Sequence, residues 1–280
     1  MAVRVYCYKW RTKIEIEQEL GLLNLLRENS LSVSYPVADT QGNLIQPVQA
    51  PEGLRYAVVF SFAQGQKMRF ISNQTCFSIG SLMAKIHCIT ESRNIERTDY
   101  NSETLLHESY DLIKSFFREE LDEMKFLKDI SLKISTRLEE SDLSEKQNGI
   151  VHLDIWYDNL SVNREDVITI FDFDNCGNGT LVLDVGYFCK QLFFIEADKQ
   201  EYESKVKSFL DGYLQIRNLS DKELQLIHES GAPIFIFYFG VQAKRFDWSN
   251  IFYTENYLKM FVGRIKDRMD YYEGKKFLSN

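Results

Sequence analysis

Several things are scarce in this sequence of 280 residues, and each scarcity removes a class of protein. There are only five cysteines (Cys7, Cys76, Cys88, Cys176, Cys189), with no CxxC pair and no zinc-ligand spacing to the four histidines. Neither a disulfide framework nor a zinc site is expected, and the thiols read as reduced, in a cytoplasm. Long hydrophobic runs are missing too. The richest, Ala232 to Val241, falls well short of the roughly 20 residues needed to cross a bilayer, and reads as a buried helix or strand. The start, Met1 to Tyr6, has no apolar stretch of the kind a signal peptide carries. Basic charge is in deficit: 33 Lys and Arg against 41 Asp and Glu give a formal charge of −8, which argues against nucleic acid and anionic membrane as partners. A cationic ligand would suit that sign. No internal repeat or low-complexity stretch stands out. What remains is 44% hydrophobic and 26% charged, with 20 Phe and 15 Tyr: an ordinary globular composition with an aromatic core.

Patterning divides the chain unevenly. Val3 to Tyr8 alternates as a strand, with Val3, Val5 and Cys7 on one face and Arg4, Tyr6 and Tyr8 on the other. Lys13 to Glu28 has the three- and four-residue apolar spacing of a helix. Leu31 to Val37 reads as extended and Ala38 to Gly53 as loop, rich in Gly and Pro. Arg55 to Phe62 is a strongly apolar strand. Beyond Asn73 the spacing is mostly helical: Ser78 to Ile89, Glu103 to Glu119, Leu121 to Glu140, Leu181 to Glu196, Gln200 to Ile216, Asp221 to Glu229 and a final pair ending near Tyr272. The expectation is an α+β chain, a small strand-and-helix part over residues 1–62 followed by a larger helical part over 63–280.

The most informative segment is Val151-His152-Leu153-Asp154-Ile155-Trp156-Tyr157-Asp158-Asn159, followed by Phe171-Asp172-Phe173-Asp174. An Asp, an Asn five residues on and a second Asp thirteen residues later flank a short apolar strand, Val167 to Phe171. Phosphoryl transfer requires that set: one carboxylate to take a hydroxyl proton, with an amide oxygen and a second carboxylate to hold magnesium against a nucleotide. Turn-forming Asp and Asn before an edge strand would give the same letters.

These residues resemble the catalytic core of the aminoglycoside phosphotransferase and choline kinase superfamily, a kinase-like two-lobe fold whose pattern is His-Gly-Asp, Asn five residues after the Asp, then an apolar strand ending in Asp. The resemblance implies Asp154 as catalytic base, His152 as the residue bracing its loop, and Asn159 and Asp172 as Mg²⁺ ligands. Asp174 is left open between assisting the metal and lying in a solvated turn, and Asp184 matches a downstream family Asp that supports structure. Leu153 stands where the family has Gly, which raises the question of loop conformation, because Leu reaches φ > 0 only at a cost. In the small lobe, Arg4 is similar to the strand cation that reaches nucleotide phosphates and Glu19 to the helix acid that pairs with it; an exposed strand charge and a solvated helix face are the plainer readings. Phe60, Ser61 and Phe62 resemble the hinge whose backbone groups hold adenine.

One departure is large. The family places two strands and a phosphate-covering loop ahead of the strand that carries Arg4, and this chain begins two residues before that strand's core. A shortened small lobe is therefore expected, with weak nucleotide binding and an exposed sheet edge open to self-association. The function implied is an ATP- (or GTP-) dependent phosphotransferase acting on the hydroxyl of a small molecule such as an aminoglycoside, an amino alcohol or a homoserine-like acceptor. A nucleotide-binding protein without turnover and a protein Ser/Thr kinase are the alternatives. Lys244 to Ser249, with Phe252, Tyr253 and Tyr257, are the expected wall of the acceptor cleft, or else helix-packing residues.

Overall fold

The computed structural model describes residues 1–68, 70–141, 143–165, 167–244 and 254–273. It begins with strand β1 (Ala2–Val5), helix α1 (Lys13–Glu28) and strands β2 (Ile45–Ala50) and β3 (Gly53–Phe60). These strands form an antiparallel sheet in the order β1-β3-β2, with Arg4 opposite Val58. Helix α1 starts where a capping box closes its first turn: the Thr12 hydroxyl accepts from Glu15 N–H and the Glu15 carboxylate from Thr12 N–H. Ile16, Leu20, Leu23 and Leu26 are buried, each worth about 1.5–3 kcal/mol by leaving water. Glu19 lies on that same buried face.

Two features of this part differ from the sequence reading. The β1 alternation holds, but Tyr6 is buried and Val3 is 69% exposed, so the polar-looking face turns inward. The Gly- and Pro-rich stretch from Ala38 to Gly53 contains β2. Its Pro47 is accommodated because β2 is an edge strand, where a missing N–H costs no ladder bond on the open side.

The larger part continues with α2 (Asn73–Thr90), β4 (Asp99–Tyr100), α3 (Glu108–Lys114), α4 (Asp122–Glu140), β5 (Asn148–Val151), β6 (Leu160–Val162), β7 (Ile168–Ile170), β8 (Gly177–Thr180), α5 (Val182–Ile195), α6 (Lys199–Leu214), α7 (Asp221–Lys244) and α8 (Glu255–Tyr272). Helices α2 and α6 make the most extensive helix contact. Gly80 and Gly212 permit it, since a Cβ on either would collide with a backbone carbonyl of the facing helix. Helix α7 runs unbroken through Pro233, so Asp221 to Glu229 and the apolar run after it form one element. No helix among the described residues is long and apolar enough to cross a membrane.

The two parts meet around the β6–β7 hairpin. Val33 forms a parallel bridge to Ile170, and Gln66 pairs with Val162. One hydrophobic cluster runs from Tyr6 and the α1 leucines through Ile170 and Phe173 to α5 and α6.

Candidate active site

The loop between β5 and β6 is held by a buried carboxylate. Asp184, in the first turn of α5, accepts the N–H of His152 at 2.8 Å and of Leu153 at 2.6 Å, and its Oδ2 lies 3.2 Å from His87 Nε2. Tyr238 donates to the Leu153 carbonyl at 3.3 Å. Within this clamp Leu153 adopts φ 63° with its side chain fully buried. A left-handed conformation costs a non-glycine residue about 1–2 kcal/mol, and here the packing of the leucine side chain offsets it.

His152 supports backbone on both sides of the loop. Its Nε2 donates to the Phe171 carbonyl at 3.2 Å and its Nδ1 accepts from Asp154 N–H at 3.1 Å, which fixes the proton on Nε2. Its ring packs on Phe173, centroids 4.3 Å apart. His152 therefore ties the Asp154 loop to the strand end that carries Asp172.

Asp154 is half-buried and gripped from two directions. Tyr187 O–H donates to Oδ1 at 2.6 Å, and Asn159 Nδ2 donates to Oδ2 at 2.8 Å and to the Asp154 carbonyl at 2.9 Å. Gln191, one turn along α5, donates to the Tyr187 oxygen at 2.7 Å. Burial raises the Asp154 pKa above the usual carboxylate range, with the Asp172 charge adding to the rise and the Tyr187 and Asn159 bonds opposing it. Because both donors of Asn159 face Asp154, its Oδ1 remains as an acceptor. Phe171 N–H donates to the Asn159 carbonyl at 3.1 Å, and Leu160 pairs with Ile170, so Asn159 and Asp172 stand at the same end of the β6–β7 hairpin.

Arg4 reaches this end from β1. Its Nη1 donates to Asp172 Oδ1 at 2.8 Å and its Nη2 lies 3.2 Å from Asp174 Oδ2, with Glu19 Oε1 at 3.9 Å. Burial would lower the Arg4 pKa, but Asp174, Asp172 and Glu19 outweigh it and raise it. Glu19 is buried, bonded by Tyr6 O–H at 3.0 Å and by Arg97 at 3.3 Å; burial is the largest influence on its pKa, which is raised.

Asp174 lies in no solvated turn. It is buried, accepting from Trp10 Nε1 at 2.9 Å and Arg11 Nε at 3.2 Å besides its contact with Arg4. Burial pushes its pKa up, but Arg4 and Arg11 prevail and hold it below the ordinary value. Arg97 donates to the Asp174 carbonyl and to the carbonyl of Glu15. Trp10, Arg11, Arg97 and Tyr187 all went unassigned in the sequence reading. Tyr187 alone left a local signal, standing three residues from Asp184 on one face of α5.

A cavity of about 510 Å³ adjoins these groups, lined by Arg4, Glu19, Phe60, Ser61, Phe62, Ala63 and Asp172 among others. Ser61 N–H is already bonded to the Tyr35 carbonyl at 2.8 Å and its own carbonyl accepts from Ser34 at 2.6 Å. The backbone groups of Phe62 and Ala63 have no such partner among the described residues, and the Phe62 side chain is 63% exposed. Lys67 also lines the cavity, over the Phe171 ring at 5.7 Å. Of the expected acceptor wall, Arg245 to Tyr253 lie outside the described residues, while Tyr257 packs against Phe239, centroids 5.6 Å apart.

The donor set suits a hard divalent cation sharing its ligands with a nucleotide. Asp172 is 44% exposed at its side chain and Asn159 offers an oxygen. No cluster of three or more His, Cys, Asp or Glu side chains able to hold a metal by itself exists among the described residues. Magnesium is commonly held by one or two protein oxygens, with phosphates and water completing the shell.

Comparison with known proteins places this geometry in context. A sequence model of the family described as "Phosphotransferase enzyme family" matches residues 1–219. An uncharacterized protein of Synechocystis sp. is 31% identical over 189 residues, covering 66% of this chain and 52% of that protein. A homoserine kinase of Agrobacterium fabrum is 25% identical over 213 residues, covering 74% of this chain and 62% of its own length. The chain thus spans little more than half the length of these curated relatives. Among solved structures, a microcompartment-associated aminopropanol kinase superposes with a TM-score of 0.77 at 18% identity, covering 99% of this chain and 87% of that one. An amicoumacin kinase solved with AMP-PNP, Ca²⁺ and its ligand gives 0.74 at 19%, covering 96% and 81%. At such identities the likeness is one of fold.

Proposed function

The chain belongs to the phosphotransferase enzyme family, and from that premise we propose that it moves the terminal phosphoryl group of ATP (or GTP) to the hydroxyl of a small molecule. The observation that carries this reading is the Asp154 carboxylate, aligned by Tyr187 and Asn159 at the end of the hairpin where Arg4 meets Asp172. Asp154 would accept the acceptor's hydroxyl proton, or orient that hydroxyl. Asn159 and Asp172 would hold Mg²⁺, which when bound neutralises charge on the nucleotide phosphates. Arg4, positioned by Glu19 and Asp174, would bind phosphate. Adenine would lie in the cavity against Phe60 and Phe62, bonded by the backbone of Phe62 and Ala63. The relatives named for homoserine and aminopropanol favour an acceptor that is a short hydroxylated amine or amino acid.

The test is release of ADP from Mg-ATP over a panel of small amino alcohols and hydroxy amino acids. Asp154→Asn should cut turnover by roughly 10²–10⁴, the usual contribution of a general base, and leave nucleotide affinity nearly unchanged. Asp172→Ala should weaken Mg-nucleotide binding instead. Matching losses from both substitutions would show the roles to be misassigned.

One observation favours a second reading, nucleotide binding without turnover: Arg4 and Asp172 occupy one another at 2.8 Å. Bound nucleotide with no ADP release from any acceptor would select it.

A further inference from the structure

A second cavity, of about 380 Å³, lies between α4, α5, α7 and α8 and shares no lining residue with the nucleotide cavity. Its wall carries five Lys and Arg side chains against three carboxylates, a local reversal in a chain of net charge −8. Glu229 and Arg137 are paired with one another, which leaves four cations against two carboxylates.

Two of the cations are buried and short of partners. Lys190 is 3% exposed and makes no hydrogen bond or ion pair with a described residue; its Nζ lies 4.6 Å and 4.1 Å from the ring centroids of Tyr187 and Phe235. Arg268 is 5% exposed. It donates through Nη1 to the His228 carbonyl, while its Nε and Nη2 are buried without a hydrogen-bond partner. A buried cation without a counter-charge is costly, and buried charges are ordinarily paired. Burial first, and then Arg268, pushes the Lys190 ammonium down to about 7, with the Asp154 carboxylate opposing, and burial with Arg268 and Arg137 pushes His228 down to about 4. Ile134, Ala232 and Ile265 complete an apolar lining that would accept a short carbon skeleton.

We propose that this cavity is an anion-binding site, in which Lys190 and Arg268 hold the carboxylate or phosphate group of a small organic molecule. The two cations supply charge-assisted hydrogen bonds, the strongest class available to such a group. Lys190 stands one turn of α5 from Tyr187, whose hydroxyl holds Asp154, so the anion sits next to the support of the candidate base. Its source is either the acceptor's own carboxylate or a free anion that binds alongside. The inference does not depend on phosphoryl transfer, because its readout is binding.

Calorimetric titration of the full chain with inorganic phosphate, L-homoserine and 3-aminopropan-1-ol tests it; the last two differ by one carboxylate. Phosphate, homoserine or both should bind, and Lys190→Met should weaken that binding about tenfold or more, which corresponds to about 1.4 kcal/mol. Its melting temperature should hold or rise, because methionine fills the site without a charge. Arg268→Lys should weaken binding while keeping the charge, which separates the planar fork from charge alone; Lys190→Gln serves if the methionine variant does not fold. If homoserine binds better than aminopropanol and phosphate displaces it, the anion is the acceptor's carboxylate. If phosphate binds and the two alcohols behave alike, it is a free anion. Unchanged affinity for both anions in the Lys190 variant, or no binding of either up to about 50 mM, overturns the proposal.

Discussion

Replacing Leu153 by alanine and, separately, by glycine sets two local terms against each other. The leucine side chain is fully buried among the core residues of the larger part, and its backbone sits at φ 63°. Removing a buried leucine side chain costs about 2–5 kcal/mol, and the alanine variant bears that loss while keeping the left-handed backbone. The glycine variant bears it too, with about 0.5–1 kcal/mol more for the freer unfolded chain, but it escapes the roughly 1–2 kcal/mol that φ > 0 costs an L-residue. Burial dominates, so both variants should be less stable than the parent. Between them the usual order reverses, with glycine equal to alanine or up to about 1.5 kcal/mol better. Urea unfolding followed by tryptophan fluorescence gives both differences. A glycine variant clearly less stable than the alanine one would mean that the Asp184 clamp does not hold residue 153 in a strained conformation. A glycine variant matching the parent would mean that burial was overvalued.

Tyr187→Phe removes the 2.6 Å donor that opposes the rise in the Asp154 pKa. Since the base must be ionised to work, the acid limb of the kcat/KM profile should move to higher pH, and a limb that stays put or moves down would disconnect Tyr187 from the base. Asp174→Asn breaks a buried carboxylate's contacts with Arg4 and Arg11 and should cost about 3–5 kcal/mol. The folded pKa of Asp174 is depressed, so its contribution is present above the ordinary Asp range and is lost as pH falls through the folded value. The stability gap between parent and variant should therefore narrow as pH falls below the ordinary Asp range, and a constant gap would assign the loss to packing. Asp172→Asn should bind metal-free nucleotide better than the parent, by up to about 1 kcal/mol for so exposed a pair, because phosphate that takes Arg4 no longer leaves a bare carboxylate behind.

Local order in the candidate site was legible because the residues concerned are close in sequence. Asp154, Asn159 and Asp172 fall on one loop and one hairpin, whose apolar strand shows in the letters from Val167 to Phe171. The match over residues 1–219 that establishes the family includes that segment. The Leu153 question was also visible as a question, since a leucine in a glycine position either changes the loop or is held against its preference; the structure holds it. What could not be read was remote. Trp10 and Arg11 meet Asp174 across more than 160 residues, and no periodicity encodes such a pairing. Asp174 stays open in the sequence between assisting a metal and lying in a solvated turn, because the Trp10 and Arg11 donors that bury it are so distant in the chain. Strand β2 was hidden by Pro47 and the glycines around it, although an edge position tolerates them.

The remote contacts are also the ones that turn separate motifs into a site. Arg4 is a single cation among Asp172, Asp174 and Glu19, and its three partners differ in what they can give up. Glu19 keeps Arg97 and Tyr6, and Asp174 keeps Arg11 and Trp10, whether or not Arg4 moves. Asp172 has only Arg4 among the described ion pairs, and it is the most exposed of the three. The contact with Asp172, though the shortest, is thus the one most open to water and the one whose carboxylate has no second cation to hold it. Under the proposed function, a phosphate entering the cavity would take Arg4 from Asp172 and leave the guanidinium anchored from behind, and the freed carboxylate would become available to a cation arriving with the nucleotide. On this reading the Arg4–Asp172 pair would be the one exchanged on binding, and Asp174, buried behind Arg4, would govern the placement of the guanidinium and with it the affinity of the cavity.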